Sequence, residues 1–188
     1  MAGVWQSWGH VVVAALLAVP VAALVVVALA RLRAPNAADR PAAWRRSLAE
    51  VLAVAGTAPW LWMVLTPKTG DRAVSLVPLR DLLELLGARP VTIAVQLTGN
   101  LLVLAAFGAA LPVRFAAMTG LARVAVAAAS ASASIELAQY ALHLGRVTSV
   151  DDVLVNTAGA VLGALLSRRW WESPQVIRET GGTHRMLR

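Results

Sequence analysis

"VVVAALLAVPVAALVVVALA", residues 11–30, is an uncharged run of twenty residues, and its reading decides the fold. A helix rises about 1.5 Å per residue, so about 20 mostly apolar residues are needed to cross a hydrocarbon layer about 30 Å thick. The run meets that requirement and is expected to span a membrane. A secretory signal would place a basic segment ahead of a shorter apolar run. No Lys or Arg precedes Val11, so the segment is expected to stay in the mature protein. The rest of the chain agrees: of 188 residues, 59% are hydrophobic and 14% charged, too apolar a balance for a soluble domain of this length.

Four further crossings are expected at 48–66, 96–113, 124–144 and 150–167, the second carrying Glu50 near one end and Pro59 within it. Between residues 67 and 90, Leu79, Leu82, Leu83 and Leu86 repeat at helical spacing while Arg80, Asp81 and Glu84 fall off the stripe. That is the signature of a short amphipathic helix, lying flat in the interface or capping the bundle. The expected fold is an all-α polytopic membrane helix bundle with about five transmembrane helices and this short outer helix. Its expected division is an N-terminal transmembrane helix and cytoplasmic loop (1–47), a membrane domain (48–168) and a cytoplasmic tail (169–188), whose end "RETGGTHRMLR" is expected to fray.

The formal charge is +7, but the basic residues fall between apolar runs, which suits cytoplasmic loops and anionic headgroups; membrane lipids are expected partners and nucleic acid is not. With the amino terminus outside, the inner segments hold twelve Lys and Arg and the outer ones five, Lys68, Arg72, Arg80, Arg89 and Arg146. The expected topology is therefore N-terminus outside and C-terminus cytoplasmic in a bacterial plasma membrane. The chain has no cysteine, which excludes disulfides, thiolate metal sites and cysteine catalysis.

Polar residues collect at one end of the predicted bundle. "SIELAQYALHLGRVTSVDDVLVNTAGAVLG", residues 134–163, places Glu136, Gln139, Tyr140 and His143 on one helix face. Glu136 lies about 12 Å below a helix end at Leu144, where an ionisable side chain faces the bundle interior and marks a polar contact or a functional path. On the next helix Asp152 and Asn156 share a face with Gly159 and Gly163, small residues that permit close approach. The short connection makes these two helices antiparallel neighbours, bringing Asn156 within reach of Glu136 or Gln139. Gln96 and Asn100 add amides from a third helix. Arg146, ten positions from Glu136, is expected to pair with Asp151 or Asp152. The expected binding residues are Glu136, Gln139, Arg146, Asp152, Asn156 and Asn100. The plainer role for each is interhelical bonding, at about 0.6 kcal/mol apiece, or, for Asp151 and Asp152, helix capping. No metal or cofactor is expected.

"SIELAQ", Arg146 and "DDVLVNTAGAVLG" closely resemble the VanZ-like family of small bacterial membrane proteins, over about residues 60–167. "SLVPLRD" (75–81) is similar to the family's extracytoplasmic segment and "GNLLVLAAFGAALP" (99–112) to its Asn-to-Gly membrane segment. Where the family usually has a proline, this chain has Ala106, so the family's kink is not expected there. The resemblance implies a link to glycopeptide resistance but no established reaction, and kinship alone does not fix function.

Three classes of function remain open on the sequence. The first is a non-enzymatic protein whose outer polar pocket recognises a cell-envelope headgroup, precursor or glycopeptide, Arg146 pairing with an anionic group. The second is an intramembrane enzyme acting on an envelope lipid or precursor through Glu136 and Asp152, although no hydrolase, metalloprotease or phosphate-loop motif is present. The third is a small transporter or proton relay, which the lack of an inverted repeat disfavours.

Overall fold

The computed structural model describes residues 2–70 and 73–171, and the apolar runs of the sequence form its long helices. These are α1 (Ala2–Arg33), α2 (Arg40–Leu65), then, after the short α3 (Arg80–Leu86), α4 (Pro90–Arg114) and α5 (Leu121–Ala141). All four long helices are long and apolar enough to cross a membrane. The last helix, α6 (Val150–Leu166), has 17 residues, at the lower limit for a crossing. Pro41 and Pro90 fall in the first turns of α2 and α4, where a missing N–H breaks no intrahelical bond. Leu16, Leu17 and Leu24 of α1 are 65–70% exposed, as side chains facing lipid should be. The chain is an all-α membrane helix bundle. The tail end 178–188 and Arg72 lie outside the described residues.

Packing runs in the order α1, α2, α4, α6, α5, with the α4–α6 contact the most extensive. Glycine explains it. A Cβ at Gly159 would run into the Leu101 carbonyl, one at Gly163 into the Ala105 carbonyl, and one at Gly108 into Ala160, so backbone lies directly on backbone. The small face of α6 therefore serves α4, and α5 packs on another side. α4 is continuous through Ala106, whose methyl faces Gly56 of α2.

At the basic end of the bundle, Glu50 accepts from two guanidiniums. Arg33 of α1 lies 2.7 Å away and also donates to Ser47, and Arg114 of α4 takes the other carboxylate oxygen. A charge in an apolar helix is tolerable when paired and hydrogen-bonded in this way.

The opposite, polar end is where the structure departs from expectation. α5 stops at Ala141 rather than continuing to Leu144, because His143 (φ 54°) and Gly145 (φ 62°) turn the chain back on itself. The returning strand β2 (Val147–Ser149) runs down beside α5 until the Ser149 N–H donates to Glu136 Oε2 at 3.0 Å. Glu136 lies five residues before the end of α5, about 7.5 Å along the axis, so it is shallower than a helix reaching Leu144 would make it. α6 starts at that depth, which accounts for its shortness.

β2 pairs in parallel with β1 (Ala73–Ser75), in the register Ala73 to Val147 and Ser75 to Ser149. Asp81 ties the two strands, accepting from the hydroxyls of Ser75 (2.8 Å) and Ser149 (2.5 Å). Extended backbone at the end of a membrane bundle is tolerated where protein buries it or where it lines a cavity. α3 follows, with Leu79, Leu83 and Leu86 54–66% exposed, as an interfacial helix requires. Its first turn also sits on the bundle, since Leu79 N–H (2.5 Å) and Leu82 N–H (3.0 Å) both donate to Asp151.

Candidate functional site

Four helices and β2 line a cavity of about 310 Å³ at the polar end. α5 contributes Glu136 and Gln139 one turn apart, α6 contributes Asp152 and Asn156, α4 contributes Gln96 and Asn100, and Arg146 enters from the segment before β2. The six residues singled out in the sequence thus line one space. A second cavity of about 420 Å³ shares its wall at Asn100, Arg146 and Asp152 and extends beneath α3. A larger groove between α1 and α2, about 720 Å³, is walled by Ala, Val and Leu with only His10 titratable, so it offers hydrocarbon contact and little chemistry.

Most of the polar side chains lining it have partners within the protein. Glu136 is 5% exposed and is held by the Ser149 N–H. Asp152 accepts from the Asn100 amide, so α6 and α4 are joined across the cavity wall. Gln139 Nε2 donates to the Val64 carbonyl at 2.9 Å. Arg146 donates to the carbonyls of Met63 (2.6 Å) and Thr66 (3.3 Å from Nη2). Helices leave their last carbonyls without intrahelical donors and carry partial negative charge there. Gln139 and Arg146 supply donors to the end of α2, and Arg146 supplies positive charge as well. Burial pulls the Arg146 guanidinium below its usual range, while the carboxylates of Asp152 and Glu136 act in the opposite direction.

Three pairings differ from the sequence expectations. Arg146 takes no direct ion pair with Asp151 or Asp152, because the α2 carbonyls receive its donors. Asp151 instead holds the start of α3, and its own N–H donates to Ser149, the residue that caps α6. Asn156 reaches neither Glu136 nor Gln139; its amide donates to Ser132 Oγ at 2.8 Å, leaving Oδ1 buried and without a donor. Ser132 sits on the small-residue face of α5, and the neighbouring Ser130 and Ser134 bond back to carbonyls of their own helix. His143 lies past the end of α5 and does not line the cavity.

Lys68 is the residue that sequence reasoning missed. It is the only lysine in the chain, beside sixteen arginines, and it lines both cavities. Burial, with Arg146 nearby, pushes its ammonium below the usual lysine range. Only its isolation in composition could have flagged it. Its place is set by a backbone contact from Lys68 N–H to the Leu144 carbonyl at 2.8 Å, between segments far apart in sequence.

The cavity therefore presents two cations and two carboxylates, with amides between them and one buried acceptor open. Such a wall can orient a polar or charged group by several hydrogen bonds at once. A family model described as VanZ/LLP1 matches residues 20–171, a longer stretch than the 60–167 on which the resemblance rests. No curated protein and no solved structure matches the chain.

Proposed function

The chain belongs to the VanZ/LLP1 family, and from that premise we propose that this membrane protein uses its polar cavity to recognise a cell-envelope headgroup or peptide. The cavity opens to the outer face, and glycopeptide susceptibility is the cellular property it influences. One observation carries the reading: Asn100, Glu136, Gln139, Arg146, Asp152 and Asn156, from three helices and the segment before β2, line one cavity. Interhelical bonding alone needs pairs; it does not need a cavity that these residues line together.

A second reading, an intramembrane enzyme, is favoured by Glu136 and Asp152 facing the same space, an arrangement suited to general acid–base work. The two readings separate by product: a binding protein returns its ligand unchanged, an enzyme does not.

Glu136→Gln keeps shape and removes charge, and Asn156→Ala removes the open acceptor. Both variants should insert and fold in near-normal amounts yet reproduce the envelope-antibiotic phenotype of a deletion strain. If both residues act only as interhelical bonds, each change should cost about 0.6 kcal/mol and leave susceptibility normal. Well-expressed variants with normal susceptibility, against a clear deletion phenotype, would sink the proposal.

A further inference from the structure

The basic end of the bundle holds a space that the polar cavity does not account for. A slot of about 200 Å³ runs along α4, between α2 and the 3₁₀ turn Arg168–Trp170 that follows α6. Ala106, Ala109, Ala110 and Val113 form its floor, one face of α4 about 10 Å long. Leu48 and Leu52 of α2, 46% and 51% exposed, form a wall. The trough exists because the alanine side chains of the floor stop at Cβ. Among the described residues its only ionisable lining group is Arg45, near the start of α2.

Charge and aromatic character gather at the mouth. The Arg45 side chain is exposed and makes no hydrogen bond or ion pair among the described residues. Trp170, 47% exposed, lines the slot beside it and carries the Arg169 guanidinium 4.3 Å from its ring centroid. The turn that presents Trp170 is pinned by Trp171 Nε1, which donates to the Ala164 carbonyl at 3.1 Å and to Ser167 Oγ at 3.2 Å. Among the described residues this end of the bundle carries nine arginines against two carboxylates, Asp39 and Glu50, and Glu50 is already held by Arg33 and Arg114.

Tryptophan settles at headgroup level, arginine binds phosphate oxygens, and basic pockets between membrane helices attract anionic headgroups. An apolar trough with an unbonded guanidinium and a tryptophan at its mouth therefore fits an amphiphile with an anionic head. We propose that the slot holds one acyl chain of an anionic glycerophospholipid, its phosphate on the Arg45 guanidinium and its chain laid over Ala109 and Ala110 toward Leu52. The arginine surplus selects such a lipid over a zwitterionic one, whose ammonium it repels. This site lies at the end of the bundle opposite the polar cavity and is independent of the headgroup reading above.

Full-length protein in a non-ionic detergent is titrated with dioctanoyl phosphatidylglycerol, dioctanoyl phosphatidylcholine or glycerol phosphate, and the Tm and the mass of the intact complex are read together. Phosphatidylglycerol should raise the Tm saturably and stay on the protein as one equivalent, while the other two do neither at equal concentration. Arg45→Gln removes an exposed, unbonded guanidinium, so its Tm without lipid should stay at the wild-type value and its affinity for phosphatidylglycerol should fall about tenfold. Ala109→Leu fills the slot and keeps the charge, so it should abolish the response; Arg31→Gln, at the same end but on α1, should leave it intact. Where Ala109→Leu folds poorly, Arg45→Gln decides alone. An equal response to phosphatidylcholine overturns the anionic assignment, and an equal response to glycerol phosphate overturns the lipid assignment. An undiminished response in Arg45→Gln or in folded Ala109→Leu assigns the effect to the basic end at large and overturns the slot. No response to any of the three overturns the proposal, as does a dimer that Ala109→Leu disperses, which makes a second copy the occupant.

Discussion

Gly145 is the residue on which the polar end turns. Its φ of 62° is in the left-handed region, and a Cβ there would run into the carbonyl of Lys68. Both constraints oppose any side chain, so Gly145→Ala should lower stability by about 1–3 kcal/mol. Gly99, in α4, is the contrast: a Cβ there meets nothing within 4 Å. Gly99→Ala should leave stability unchanged or raise it by up to about 1 kcal/mol, since Ala is the better helix former. Thermal unfolding of the two variants in one detergent checks the pair, and a tolerated Gly145→Ala would remove the steric reading. At this scale the sequence was informative where helical periodicity governs. Glu136, Gln139, Asp152 and Asn156 fell on the faces that spacing predicts, because both helices are regular there. Arg146 was legible as a cavity residue but its partners were not, because the carbonyls of Met63 and Thr66 that it bonds lie 83 and 80 positions away in sequence. Lys68 escaped because its position depends on contact between two loops, which leaves no local pattern.

At the scale of elements, the α4–α6 contact depends on three positions without side chains. Gly163→Leu would drive a branched side chain into the α4 backbone at Ala105 and Ala109. Folded protein should fall markedly even though hydrophobicity rises, because association within a membrane rests on close packing and not on the hydrophobic effect. Size-exclusion yield and Tm in detergent measure it; an unchanged yield would mean that α4 and α6 do not meet through this face. The apolar runs made the long helices legible, and the leucine stripe revealed α3, since each element carries its own period. The β1–β2 ribbon was not legible. Each strand has only three residues, and what makes them strands is their pairing with each other across a wide sequence gap and with Asp81.

For the whole molecule, the twelve-to-five distribution of basic residues predicts which end faces the cell exterior. The chain lacks cysteine, so single cysteines report cleanly. Leu142→Cys, exposed at the polar end, should react with an impermeant thiol reagent on intact cells, and Ala37→Cys, exposed between α1 and α2, should react only after permeabilisation. The opposite pattern would invert the topology and turn the cavity toward the cytoplasm.

The parallel pairing of β1 with β2 also dates the cavity within the life of the chain. Residues 73–75 leave the ribosome well before 147–149, and at about 5–20 residues per second the first strand waits on the order of several seconds for its partner. During that interval α3, α4 and α5 are made, while Lys68 and Asp81 lack the groups from β2 and α6 that later surround them. The polar end is therefore a late event in biogenesis, completed when α6 joins the bundle, and a nascent chain arrested before Val147 has the four long helices but neither α6 nor a chamber.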